Sequence, residues 1–182
     1  MQRTVRLATE DDTRRFATAF SRFLRGGDVI WLVGPLGAGK TAFVRFLIHA
    51  LGGQRRVPSP SFILRATYPL RGRGIVRLHH LDAFRLRRPD AAFLADVAEL
   101  VADRQSVVAI EWADRLRRFL PQPTWHIDGA YTNDGGRRFT IAGDPVRLRR
   151  VSRMFSPLPL ARRLLGSNAG GPRRSSLSGR GR

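Results

Sequence analysis

The stretch Gly34-Pro35-Leu36-Gly37-Ala38-Gly39-Lys40-Thr41 constrains the fold of this chain more than any other. It fits G-x-x-x-x-G-K-[ST], a loop whose backbone N–H groups turn inward around phosphate while the following helix adds its positive N-terminal dipole. Such a loop works only between a strand and a helix, and the flanks supply both. Asp28-Val29-Ile30-Trp31-Leu32-Val33 is an apolar, β-branched run that reads as a buried strand, and Thr41 to Leu51 reads as a helix. In this setting Lys40 would reach the β- and γ-phosphates of a nucleotide, and the Thr41 hydroxyl would ligate Mg²⁺.

The choice of lysine at that position is informative. Of 33 Lys plus Arg in the chain, Lys40 is the only lysine. A planar guanidinium is a wide fork, whereas an ammonium is a compact point charge that fits inside a phosphate loop. The net charge of +19 is unevenly spread: residues 145–182 hold ten arginines and no acidic residue, leaving 23 basic and 14 acidic residues in 1–144. This excess reads either as a solvated basic face or as a surface for an acidic partner, RNA first. With no cysteine, disulfides and thiolate metal sites are excluded. The first nine residues carry no apolar signal core and no stretch reaches membrane-spanning length, so a soluble cytoplasmic protein is expected.

Along the chain, Val5 and Leu7 alternate with polar residues as in a short edge strand. Thr9 with Asp12 resembles an N-terminal capping box, and Phe16, Ala17, Phe20, Phe23 and Leu24 follow at helical spacing up to Gly26-Gly27. Phe43, Val44, Phe46, Leu47, Ile48 and Leu51 surround the helix after the loop, which should be deeply buried. Residues 61–68 and 75–81 read as strands joined by the turn Arg71-Gly72-Arg73-Gly74. Residues 90–102 read as a helix broken near Asp96, and 106–110 as a second apolar strand. Residues 114–120 form a short helix closed by Pro121, and 124–130 with 138–142 form a hairpin around Asn133-Asp134-Gly135-Gly136. The expected fold is α/β, a P-loop NTPase-like mixed sheet flanked by helices, in one domain over 1–144. Residues 145–182 are expected to be an Arg-rich, largely disordered tail that opens with a short helix and soon loses periodicity, and a chain ended after Asp144 is expected to fold.

Two further stretches complete a nucleotide site. The strand 106–110 runs into Glu111-Trp112, and the strand 75–81 into Asp82. An apolar strand ending in a carboxylate sets an oxygen ligand or water-orienting group beside Mg²⁺. Ligands of open α/β sheets bind beyond the carboxyl ends of the parallel strands. If these strands run parallel to the loop strand, Asp82, Glu111 and Lys40 converge on one edge as the catalytic group.

The order Gly34 to Thr41, Ser59-Pro60-Ser61-Phe62, His80-Leu81-Asp82-Ala83-Phe84-Arg85-Leu86 and Ile110-Glu111-Trp112 resembles the bacterial tRNA threonylcarbamoyladenosine biosynthesis ATPases, the TsaE family. The resemblance runs from about Arg3 to Ile141. It implies a Mg²⁺-dependent ATPase acting with two partner proteins that install threonylcarbamoyl on the adenosine next to the anticodon of ANN-decoding tRNAs. It also implies that Gly34 and Leu36, Gly37, Ala38, Gly39, Lys40 and Thr41 hold the phosphates. Thr41, Glu111 and Asp82 serve the metal, with Asp82 also arranging the attacking water. Ser61 lies in a switch-like loop, Glu10 and Thr13 sit near the base, and Arg137 contacts the nucleotide. The chain departs from the family pattern at Ser61 (usually Thr), Leu81 (Phe), Phe84 (Tyr), Asp96 (Gly) and Leu100 (Tyr).

Two other readings stay open. A small-molecule kinase shares the loop and Mg²⁺, and Arg85, Arg87 and Arg88 could imitate its lid. A nucleotide-gated RNA-binding module would place the work in the basic tail.

Overall fold

The computed structural model describes residues 2–54, 64–71, 74–86 and 88–155. Its centre is a seven-stranded mixed sheet in the order β1-β7-β6-β2-β5-β4-β3. The strands are β1 (Gln2–Leu7), β2 (Val29–Val33), β3 (Arg65–Pro69), β4 (Arg77–Asp82), β5 (Ser106–Glu111), β6 (Trp125–Tyr131) and β7 (Arg137–Gly143). The helices are α1 (Glu10–Phe20), α2 (Lys40–Ala50), α3 (Ala91–Ala102) and α4 (Pro145–Phe155). β6, β2, β5 and β4 pair in parallel, while β3 and the β7–β1 pair add antiparallel edges.

The fully apolar β2 and the largely apolar β5 take the middle of the sheet because both of their faces are covered, the usual burial of parallel strands. Ile30, Leu32, Val107 and Ala109 face a core completed by Phe16 and Phe20 of α1, Phe43 and Leu47 of α2, and Leu148 and Val151 of α4. Trp31, Val33, Val108 and Ile110 face the opposite layer, where Val97 of α3 and Leu116 of a 3-10 turn pack. Phe16 stacks near Phe43 at 5.5 Å and Phe20 meets Trp125 edge-on at 4.9 Å, which locks α1 onto α2 and the sheet.

The capping box forms as read: the Asp12 amide donates to Thr9 Oγ1 at 3.1 Å and the Thr9 amide to Asp12 Oδ2 at 2.9 Å. The Thr9 contacts hold the Asp12 carboxyl below the usual aspartate range. A lowered folded value means stability that is present above the unfolded pKa and lost as pH falls through the folded one. Thr9→Ala should lower the unfolding free energy by about 1 kcal/mol and flatten this acid dependence, measured by urea titration at neutral and acid pH.

Three expectations need correction. The helix after Asp90 is continuous across Asp96, because Asp90 caps it through the Phe93 amide (2.8 Å) and no Gly or Pro interrupts it. The helix expected at 114–120 is a 3-10 turn over Ala113–Leu116, which follows Trp112 in a left-handed conformation. The folded part does not stop at Asp144 either. α4 continues it, with Leu148 and Val151 buried and Asp144 accepting from the Arg147 amide at 2.8 Å. Ending the chain at Asp144 would strip this cover from α1, β1 and β7. The disorder expected after α4, the 59–61 switch-like stretch with Ser61, and Arg87 lie outside the described residues.

Candidate functional site

The site lies at the carboxyl ends of β2, β4 and β5, where the chain leaves β2 for the phosphate loop. Gly34 (φ 118°) must be glycine: a Cβ there would stand 2.1 Å from the carbonyl oxygen of Gly129 on β6. Gly39 (φ 93°) is the left-handed N-cap of α2, directly before Lys40. The loop is tied from outside. Tyr131 donates its hydroxyl to the Leu36 carbonyl at 2.5 Å, and Arg137 Nε donates to the Gly37 carbonyl at 3.0 Å.

Strand parity then aims the acids. On β4 and β5, Leu78 and Ala109 face the α2 layer, so His80, Asp82 and Glu111 share that face. Asp82 and Glu111 are direct register partners on adjacent parallel strands. The Thr41 hydroxyl, at the start of α2, donates to Glu111 Oε2 at 2.9 Å. Asp82 Oδ1 accepts from the Phe84 amide at 2.9 Å, which fixes the turn after β4. Lys40 Nζ donates to the carbonyls of Gly34 (2.8 Å) and Pro35 (2.9 Å) and lies 3.9 Å from the Trp112 ring centre. Burial pushes the Lys40 ammonium below the usual lysine range, while the carboxylates of Glu111, Asp82 and Asp114 pull it up.

Together these side chains line a cavity of about 280 Å³ that takes in Leu36, Gly37, Gly39, Lys40, Thr41, Asp82, Glu111 and Arg137, with Ala42, Phe84 and Trp112 completing the wall. The parallel pairing on which the convergence of Lys40, Asp82 and Glu111 depended is present. Gly34 and Ala38 support the loop from behind, Ala38 being wholly buried. Glu10 and Thr13 do not line the cavity. Glu10 is exposed and pairs with Arg45 of α2, and the buried Thr13 hydroxyl donates to the Thr9 carbonyl at 3.4 Å.

Sequence reasoning gave no role to three residues here. Tyr131 stands in a β-hairpin far along the chain, so its tie to Leu36 has no local signal. His80 stands two residues before Asp82, and only alternation along β4 points it toward Glu111. Trp112 takes φ 58°, uncommon for a bulky residue and typical of held, strained positions at sites. Its ring also packs against Phe84, tilted by 45° with centroids 4.9 Å apart.

No group of three or more His, Cys, Asp or Glu among the described residues could by itself hold a metal ion. The oxygens of Thr41, Glu111 and Asp82, which line the same cavity, are hard donors. They suit Mg²⁺, which is commonly held by one or two carboxylates together with substrate phosphates. No helix among the described residues is long and apolar enough to cross a membrane.

The family profile described as threonylcarbamoyl adenosine biosynthesis protein TsaE matches residues 7–139 of this chain. A tRNA threonylcarbamoyladenosine biosynthesis protein TsaE from Treponema pallidum is 38% identical over 131 residues, which span 72% of this chain and 93% of the relative. The Bacillus subtilis protein of the same name is 31% identical over 136 residues, 75% of this chain and 82% of its own length. The crystal structure of Bacillus subtilis YdiB superposes with a TM-score of 0.69 at 27% identity, covering 85% of this chain and 96% of that one. The mixed sheet with its loop between β2 and α2 is a P-loop NTPase-like α/β fold. With both the profile and the relatives spanning most of the folded part, the chain belongs to the TsaE family of threonylcarbamoyladenosine biosynthesis proteins.

Proposed function

We propose that this chain binds ATP with Mg²⁺ in the cavity and hydrolyses it as the ATPase component of the machinery that forms threonylcarbamoyladenosine next to the anticodon of ANN-decoding tRNAs. Two partner proteins carry the transfer chemistry, and tRNA is met through that complex in the cytoplasm. The observation that carries the reading is the 2.9 Å contact from Thr41 Oγ1 to Glu111 Oε2, which joins the phosphate loop to the end of β5. Bound with the nucleotide, Mg²⁺ would neutralise charge on the phosphate oxygens. Thr41, Glu111 and Asp82 would hold it.

The chain's own groups do the rest by position. Backbone N–H groups from Leu36 to Thr41 cradle the phosphates, with the α2 N-terminus behind them. Lys40 is held inside the loop by two carbonyls and supplies the point charge for the β- and γ-phosphate oxygens. Asp82, one strand from Glu111, orients the attacking water, and Arg137 at the rim adds a second positive charge. Phosphoryl transfer is mostly positioning and charge stabilisation, which these groups provide.

Lys40→Ala is the test. A hydrogen bond to a charged group contributes about 1.5–3 kcal/mol, so ATP affinity should fall on the order of 10- to 100-fold by calorimetry. Wild-type affinity in that variant would remove the loop from nucleotide binding. Thin-layer analysis of labelled ATP separates phosphate release from transfer to an acceptor, the kinase outcome. A pull-down with the threonylcarbamoyl-transfer proteins, with and without ATP, tests the assembly.

A further inference from the structure

His80 takes no part in the chemistry described so far, yet it is wholly buried and touches the centre of the site. Its Nε2 lies 2.8 Å from Glu111 Oε1. The other carboxylate oxygen, Oε2, accepts from Thr41. Glu111 is itself only 2% exposed, so its two oxygens are gripped from two elements, β4 on one side and α2 on the other. A glutamate has three side-chain torsions and would otherwise rotate its carboxylate freely.

The ring's second nitrogen identifies how the grip works. His80 Nδ1 is buried with no hydrogen-bond partner among the described residues. An ionised carboxylate only accepts, so the nitrogen facing Glu111 must carry the hydrogen. Nδ1, with no partner among the described residues, places no competing hold on the ring. A donor at Nε2, opposite the Thr41 hydroxyl at Oε2, fixes the carboxylate in place.

We propose that His80 is a positioning residue that holds Glu111 through Nε2–H, setting Oε2 toward Thr41 and the phosphate loop. The inference rests on the ATPase reading above for its kinetic consequence, but its structural part does not. The same arrangement, in which an imidazole N–H orients a carboxylate or a carboxylate orients an imidazole beside a metal, typically governs activity by about 10–100-fold.

The test uses the full chain and two readouts. Nitrogen-15 NMR of the histidine rings should find His80 as the Nε2–H tautomer, with its signal assigned by loss in the variants. A ring with its hydrogen on Nδ1 and none on Nε2 would overturn the proposal whatever the enzyme does. Kinetics then use isosteres: a glutamine amide nitrogen can stand near Nε2, an asparagine amide near Nδ1, and leucine offers no donor. His80→Gln should keep kcat within about threefold of wild type. His80→Asn and His80→Leu should lose about 10–100-fold in kcat with the ATP dissociation constant unchanged. Equal losses in all three, following their thermal stabilities, would show a merely structural residue and overturn the proposal. Wild-type protein that hydrolyses no ATP, alone or with its partners, would defeat the ATPase reading, while the tautomer would still decide whether His80 grips Glu111.

Discussion

Arg147→Ala is expected to destabilise the protein by about 3–5 kcal/mol, the usual effect of stranding one member of a buried ion pair. Asp28 sits just before β2 and is almost completely buried. Arg147 Nη1 donates to Asp28 Oδ2 at 2.8 Å and Nη2 to Oδ1 at 3.0 Å, a two-point fork. The same guanidinium donates to the Phe23 carbonyl at 3.2 Å and lies 4.9 Å from the Trp125 ring, whose Nε1–H also donates to Asp28 at 3.2 Å. Among the described residues, removing Arg147 leaves Asp28 the Arg25 amide and the Trp125 indole, too few for a desolvated carboxylate. It also frees α4, whose Leu148 and Val151 close the core over α1 and β7. For a chain of this size the midpoint should drop by roughly 6–20 °C in a thermal scan. Arg147→Lys keeps the charge without the fork and should fall between the two. An Arg147→Ala protein within 1 kcal/mol of wild type in urea would mean that α4 is not anchored through Asp28.

That pair also marks where the sequence stops being legible. Local signals were sufficient for the loop, for β2 and β5 as apolar runs, and for the capping box at Thr9 and Asp12. Each of these is decided by residues within a few positions of one another. The Asp28–Arg147 pair spans 119 positions, and an aspartate before a strand looks like any turn residue until its partner is placed. For the same reason α4 reads only as a short helix opening a polar tail, not as part of the core. Its buried residues Leu148 and Val151 are one turn apart in an arginine-rich stretch, too few to stand out as an apolar face.

The site was legible in a similar pattern. Lys40, Thr41, Asp82 and Glu111 come together because they end or follow parallel strands, a rule that needs only topology. Arg137 reaches the loop because the hairpin β6–β7 lies beside β2, and it was identified through the family resemblance rather than from its own neighbours. His80 and Tyr131 act through contacts that strand parity and cross-sheet packing create, so no motif spacing announces them. Trp112 is different again: its left-handed backbone follows from the turn after β5, and sequence propensity points away from it.

Glu111→Gln should separate binding from chemistry more sharply than any change in the loop. The amide keeps the shape and can still meet the Thr41 hydroxyl, which lies 2.9 Å from Oε2. What disappears is one negative charge, almost wholly buried beside the phosphate loop. On the proposed function the loop amides and Lys40 would already grip the ground-state phosphates, so ATP affinity should change little. The developing charge distribution during transfer depends on groups already in place, and losing one such group typically slows turnover by about 10²–10³-fold. An amide also presents a donor where the carboxylate only accepts. If the flipped NH₂ faces His80 Nε2–H, the two donors oppose each other and the His80 contact is lost. The measurement is calorimetric ATP affinity beside steady-state phosphate release, with the partner proteins present in both. Retained affinity with a large fall in kcat places Glu111 in the transition state. An unchanged kcat would remove it from the mechanism and leave Asp82 as the carboxylate that acts, whereas a loss of binding equal to the loss of turnover would make Glu111 a ground-state ligand only.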